Sequence, residues 1–137
     1  MRYSLIVLSL FILISCGKTF SEEEIAKING YWEIEKVVMP DSTKQYTASA
    51  TIDYFEVKGK KGFRKKVMPQ MDGTYRMNNL SEKIEIVQDS GRTFISYTTD
   101  YAKWKEEILT LSEGELVLKN NYDMEYHYKK PQPFTIK

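Results

Sequence analysis

From Gly30 onward, apolar and polar residues alternate over short runs, and no long stretch carries the 3.6-residue period of an amphipathic helix. The runs predict nine strands: Tyr31 to Met39, Thr51 to Lys58, Phe63 to Met68, Thr74 to Met77, Lys83 to Asp89, Arg92 to Thr98, Trp104 to Leu111, Glu115 to Lys119 and Asp123 to Lys129. Turn-forming residues separate them: Pro40-Asp41-Ser42, Gly59 with Gly62, Asp72-Gly73, Asn78-Asn79, Asp89-Ser90-Gly91, Ser112-Glu113-Gly114 and Asn120-Asn121. Short connections between consecutive strands favour an antiparallel meander. So many strands in so short a chain must close on themselves or split into two layers, to bury one face and protect the edges. The predicted fold class is all-β, an antiparallel up-and-down β-barrel of about eight to nine strands with a short N-terminal helix. That helix is written in Ser21-Glu22-Glu23-Glu24, where Ser21 can act as N-cap and Glu24 as its capping-box partner, for a turn or two ending near Lys27.

Alternation is clearest in the last strand, with Tyr122, Met124, Tyr126 and Tyr128 on one face and Asp123, Glu125, His127 and Lys129 on the other. Around Thr51, Phe63 and Arg92 both faces are partly apolar: Phe55 and Val57 share one side, Ile52 and Tyr54 the other. Alternation alone does not choose the inward set there.

Composition removes several kinds of chemistry. The 137 residues carry 20 Lys and Arg against 19 Asp and Glu, which argues against nucleic acid as a partner. One Cys cannot form an internal disulfide, and with one His it cannot supply a zinc site. Glu106 and Glu107 are adjacent on a predicted strand and point to opposite faces, which is the wrong arrangement for a cooperating acid and base. His127 lies on the face opposite to Tyr126 and Tyr128, as a surface residue. Without a phosphate loop, a nucleophile elbow or clustered ligands, the expectation is a protein that is not an enzyme and needs no cofactor.

The first residues read as a processing signal. Arg2 precedes an apolar run from Leu5 to Ile14, broken by Ser9, which is too short to span a bilayer at about 20 residues. Leu13-Ile14-Ser15-Cys16 resembles the lipobox of bacterial lipoprotein precursors. That resemblance implies that residues 1–15 are removed as signal peptide and that Cys16 becomes the acylated N-terminus, with palmitate-type chains anchoring the protein to a membrane. Taking 15 residues from 137 leaves 122, in which the loss of Arg2 balances the charges. Gly17 follows where Asp commonly marks inner-membrane retention in that class, so the expected address is the outer membrane, on the periplasmic side or at the cell surface. The Ser21 to Glu24 cluster has a second reading here, since it resembles the acidic export signal of some surface lipoproteins.

Residues 16–29 then form a tether and helix, and residues 30–137 the barrel domain. Gly30-Tyr31-Trp32 opening the first strand after a short helix, the nine-strand meander, and the ending through Lys105-Glu106-Glu107-Ile108-Leu109-Thr110-Leu111, Glu115-Leu116-Val117-Leu118-Lys119 and Tyr126-His127-Tyr128 together resemble the lipocalin-like lipoproteins over residues 26 to 130. The resemblance implies that Trp32 is structural and closes the base of the barrel. In true lipocalins an Arg near the last strand packs over that Trp. No Arg follows Arg92 here, so Lys119 or Lys129 is expected in its place.

It also implies a small apolar or amphipathic ligand, contacted by Ile34, Phe55, Phe63, Ile95, Tyr97, Leu109 and Tyr126. Lys36, placed by simple alternation on the face of Trp32 and Ile34, is the expected partner for a carboxylate head, or else a surface lysine whose methylenes cover apolar area. A barrel filled by its own side chains, serving interaction or envelope structure, is the competing reading, because eight strands can be plugged or can hold one small ligand. Lys58, Lys60, Lys61, Arg64, Lys65 and Lys66 form a basic patch around the Gly59 to Gly62 turn, either a solvated hairpin or a contact for lipid head groups or acidic glycan. Asp41-Ser42-Thr43 matches a short O-glycosylation motif and equally a turn after Pro40.

Overall fold

The computed structural model describes residues 19–46 and 52–131, apart from the side chains of residues 78 and 79. Cys16, the apolar run before it, Thr51 and the last six residues lie outside the described residues. A helix α1 (Glu22–Ile25) continues into a single 3-10 turn (Ala26–Ile28) and is followed by β1 (Gly30–Val38), β2 (Thr43–Gln45), β3 (Ile52–Lys58), β4 (Lys61–Pro69), β5 (Tyr75–Asp89), β6 (Arg92–Thr98), β7 (Lys103–Leu111), β8 (Glu115–Lys119) and β9 (Glu125–Lys129). Sheet order follows chain order from β3 to β9, with β1 beside β3, and β1 also pairs with β9. All these pairings are antiparallel, so β1 and β3 to β9 close into a barrel while β2 is a short extra strand along the upper part of β1. The expected fold class is the observed one.

The last strand starts at Glu125 rather than Asp123, which lies in the turn before it at φ +59°, and the expected strands change more deeply in three places. Thr74 to Met77 and Lys83 to Asp89 are not separate strands but parts of the continuous 15-residue β5, and the chain does not turn at Asn78-Asn79. The register of β4 against β5 slips between Lys65 and Val67, so the long strand keeps its pairing on both sides of the slip. Thr43–Gln45, unassigned from the sequence, pairs through Lys36 to Val38. The third change is two bulges, in β1 between Ile34 and Lys36 and in β7 between Ile108 and Thr110, each of which reverses the phase of the alternation beyond it.

The N-terminal segment seals one end of the barrel. The Ser21 hydroxyl accepts from the Glu24 amide at 3.2 Å and the Glu24 carboxylate accepts from the Ser21 amide at 3.2 Å, so the capping box is formed. That start presents Phe20, Ile25 and Ile28 to the core, where all three are buried. The segment is tied to the walls: the Phe20 amide donates to the Thr93 hydroxyl at 3.2 Å, Gln88 Nε2 donates to the Phe20 carbonyl at 2.7 Å, and the Asn29 side chain bonds both backbone groups of Val57.

Trp32 is the first large residue above this plug. It is 0% exposed, and its Nε1 donates to the Ile28 carbonyl at 2.7 Å. The cation over its ring is neither Lys119 nor Lys129 but Lys130, with Nζ at 3.8 Å from the ring centroid. Lys119 sits at the far end of the barrel, 3.3 Å from Asp123, while Lys130 follows β9 at the sealed end. Burial lowers the Lys130 ammonium below its ordinary range. Around Trp32 the interior is filled by Phe55, Ile84, Ile95, Ile108, Leu116 and Leu118.

Candidate functional site

The other end of the barrel carries the connections β1 to β3, β4 to β5, β6 to β7 and β8 to β9, and among the described residues no helix crosses it. Two clefts open there. One, of about 480 Å³, is lined among others by Arg64, Lys66, Leu80, Glu82, Thr98 and Tyr101. The second, of about 290 Å³, is lined by Trp32, Ile34, Val37, Tyr46, Asp53, Lys66, Tyr126 and Tyr128. Lys66 borders both. Exposed apolar side chains gather around this mouth: Met68, Met71 and Met77 on the β4–β5 hairpin, Leu80 on β5, and Tyr101 and Tyr122 on the last two loops.

The floor of the mouth is charged, and a hairpin explains how. Gly59, at φ +66°, takes the left-handed conformation the tight turn needs, and Lys58 pairs with Lys61 across it. Counting back from that pair sets Val57 opposite Gly62, Phe55 opposite Arg64 and Asp53 opposite Lys66, and residues directly opposite share a face. Gly62 has to lack a side chain, because a Cβ there would lie 1.8 Å from the Glu56 carbonyl oxygen. Phe55 and Val57 belong to the core, so Arg64 points inward with them.

Arg64 is 9% exposed. Its guanidinium stacks 4.3 Å above the Tyr97 ring, ion-pairs with Glu82, and lies 3.8 Å from Glu106 Oε1. Lys66, whose side chain is 57% exposed, reaches back 3.0 Å to the buried Asp53. Burial raises the Glu106 carboxyl above the usual carboxylate range, against the opposing pull of the Tyr97 hydroxyl and Arg64. Burial likewise raises the Tyr97 and Tyr128 hydroxyls well above the ordinary phenol value.

The structure gathers some of the expected ligand contacts and scatters others. Ile34 and Tyr126 line the smaller cleft. Phe55, Ile95 and Tyr97 point inward but are fully buried in the packed interior, and they line neither cleft. Phe63 faces outward opposite Glu56, with its ring 6.1 Å from Tyr54 and the Lys65 ammonium 5.3 Å above it. Leu109 is the bulged residue of β7, so Ile108 and Leu111 take the core positions on either side of it. Lys36 is displaced by the β1 bulge. Ile34 pairs with Tyr128 and Val37 with Tyr126, which puts those four on the cleft side, whereas Lys36 pairs with His127 on the outer face. A carboxylate inside the barrel cannot meet Lys36.

The basic patch also comes apart. Lys58, Lys60 and Lys61 are exposed at the sealed end, Lys65 is half-buried on the outer wall, and Arg64 and Lys66 belong to the mouth. Glu106 and Glu107 do face opposite ways, Glu106 toward Arg64 and Glu107 toward Arg92 at 3.0 Å on the outside. His127 contacts Glu125 at 3.3 Å.

Missed from the sequence are Asp53, Glu82 and the inward pairing of Arg64, Lys66 and Glu106. For Asp53, Arg64 and Lys66 the signal is the hairpin count from Gly59, whereas Glu82 and Glu106 join them only through the registers of β4 with β5 and of β6 with β7. Among the described residues no group of three His, Cys, Asp or Glu could hold a metal ion, and no helix is long and apolar enough to cross a membrane.

A family model described as a lipocalin-like domain matches residues 28–118. Among solved structures, a lipocalin-like protein from Bacteroides uniformis is similar at 10% identity and a TM-score of 0.48, over 77% of this chain and 99% of that one. An uncharacterized protein from Bacteroides eggerthii is similar at 12% identity and a TM-score of 0.49, over 75% and 98%. Lobster apocrustacyanin A1 is similar at 13% identity and a TM-score of 0.45, over 87% and 74%. No curated protein matches the chain.

Proposed function

The chain belongs to the lipocalin-like domain family, and on that premise we propose that it is a membrane-anchored binding protein taking one small amphipathic molecule at the mouth of its barrel. The observation that carries this reading is the pair of clefts meeting at Lys66, with an apolar rim above and a charged floor below. A fold that generally binds small hydrophobic ligands here keeps its lower half packed and its upper half open. The pocket is therefore shallow, and the part of the ligand that reaches deepest meets polar groups rather than aliphatic ones. In the competing reading the barrel is an interaction or structural module, and the filled lower half favours it.

Protein stripped of endogenous lipid binds N-phenylnaphthylamine saturably at micromolar concentration, and Tyr126→Ala, on the wall of the smaller cleft, weakens that binding several-fold. Fluorescence titration checks both. Absence of saturable binding by any apolar probe leaves the filled-barrel interaction protein as the answer.

The anchor rests on the lipobox-like Leu13-Ile14-Ser15-Cys16. Cys16 stands three residues before Thr19, where the described chain begins beside the plug at the sealed end, and three residues span about 10 Å at most. Acyl chains on Cys16 would hold the sealed end toward the outer membrane and turn the mouth away from it, on the periplasmic side or at the surface. Exposed Lys58, Lys60 and Lys61 share that sealed end and fit contact with phosphate head groups there. Cys16→Ser moves the protein from the membrane fraction to the soluble one and removes acyl mass from the N-terminal peptide. Unchanged partitioning of the variant excludes the anchor.

A further inference from the structure

Of the charged residues, Asp53 and Lys66 alone line the smaller cleft. The Asp53 side chain is 7% exposed, lies opposite Lys66 on the inward face of β3, and is hydrogen-bonded by the Tyr128 hydroxyl. Among the described residues, Lys66 is the one cation within ion-pairing distance of it, at 3.0 Å. The Lys66 side chain is 57% exposed and borders the larger cleft as well, so its ammonium can leave Asp53 and remain in water. Aromatic rings make up half of the lining, with Trp32 and Tyr128 buried at the base and the partly exposed Tyr46 and Tyr126 as walls. The faces of such rings attract ammonium groups. Lys44, 5.1 Å from the Tyr46 ring, and Lys130, 3.8 Å from the Trp32 ring, already use two of them in this way, and neither lysine lines the cleft. Lys66 is therefore the cation that a ligand has to replace.

We infer that the smaller cleft takes amphiphiles with a cationic amine head, whose ammonium replaces that of Lys66 on Asp53 while the apolar chain lies along Ile34, Val37, Tyr46 and Tyr126. Any head group that reaches Asp53 displaces Lys66 from it. A buried carboxylate stripped of its counter-charge is costly, and an ammonium restores that charge in kind. A hydroxyl offers Asp53 a hydrogen bond but no charge, and a carboxylate sets a second negative charge beside the first. That an ammonium fits there is seen in Lys66 itself, whose Nζ donates to Asp53 Oδ1. The inference rests on the binding function proposed above and names the chemical class of its ligand.

The test is calorimetric titration of lipid-stripped protein at neutral pH with octylamine, octanol and octanoate, alongside N-phenylnaphthylamine as the apolar probe. Octylamine, protonated under these conditions, binds about tenfold more tightly than octanol, and octanoate binds most weakly. Lys66→Gln, a change at an exposed side chain, tightens octylamine about threefold and leaves octanol as it was. Asp53→Asn, isosteric and checked for folding by circular dichroism, brings octylamine and octanol to within about twofold of each other. Octanol or octanoate binding the native protein as tightly as octylamine, an amine preference that survives in Asp53→Asn, or a Lys66→Gln variant that binds octylamine no better, overturns the amine selection while leaving apolar binding in place. Failure of N-phenylnaphthylamine itself to bind removes the binding function and the inference with it.

Discussion

Replacing Trp32 with alanine lowers the unfolding free energy by about 3–5 kcal/mol, the usual cost of emptying a large aromatic site in a core. The indole is fully buried between the plug and the smaller cleft, and the surrounding strands, held by closure between β1 and β9, have little freedom to collapse into the space. The substitution also frees the Ile28 carbonyl, which holds the 3-10 turn against the barrel, and strips Lys130 of the ring beneath it. Because a small domain has about 5–15 kcal/mol in total, the variant is close to unfolding at ambient temperature. Urea melts read the change directly, and a shift under about 1 kcal/mol would mean that Trp32 does not close the barrel. Trp32→Phe, which keeps most of the volume and loses the hydrogen bond, separates the two contributions.

Arg64→Leu is expected to cost about 3–5 kcal/mol at neutral pH, because it leaves the carboxylates of Glu106 and Glu82 inside the barrel without their cation. The double variant Arg64→Leu/Glu106→Leu recovers a substantial part of that loss, since two apolar side chains in place of a buried pair remove the uncompensated charge. The sign of the pH dependence follows from Glu106. Its carboxyl is raised in the folded protein, so the folded state binds the proton more tightly than the unfolded chain. Stability therefore falls as pH rises from the ordinary carboxylate range through the raised value. Without Arg64 the carboxyl rises further, and the deficit of the variant grows from acidic toward neutral pH. Urea unfolding of the native protein and both variants across that range checks this. A deficit independent of pH, or a double variant as unstable as the single one, would show that Arg64 acts by packing alone over Tyr97.

Much of the fold was legible because it rests on local pattern and turn chemistry. The capping box and the hairpin turn at Gly59 are each readable over a few residues and stand in the structure as expected, while the alternation expected of the last strand holds only from Glu125, since Tyr122, Asp123 and Met124 belong to the turn before it. The mouth was legible only in part. Ile34 and Tyr126 reach it; Phe63, Lys36 and Leu109 do not, for two separate reasons. At Phe63 both candidate faces were aromatic, and the hairpin register, which sets Arg64 opposite Phe55, chose the other one. At Lys36 and Leu109 a bulged residue changed the phase of the strand, and no residue type marks a bulge in a run such as Ile34-Glu35-Lys36.

By itself the sequence determined the class of the fold, its short capped helix and most of its strands, because periodicity, caps and turns act between near neighbours. Which cations face the interior was a tertiary decision. Arg64 lies in a run of lysines that reads as one solvated surface, and it points inward because β3 and β5 place Phe55 and Glu82 directly across from it. Lys130 covers Trp32 because closure of β9 on β1 brings residues 98 positions apart into contact. Pairing of this kind depends on register across strands, which local pattern does not encode, and a buried charge takes whichever position gives it a counter-charge.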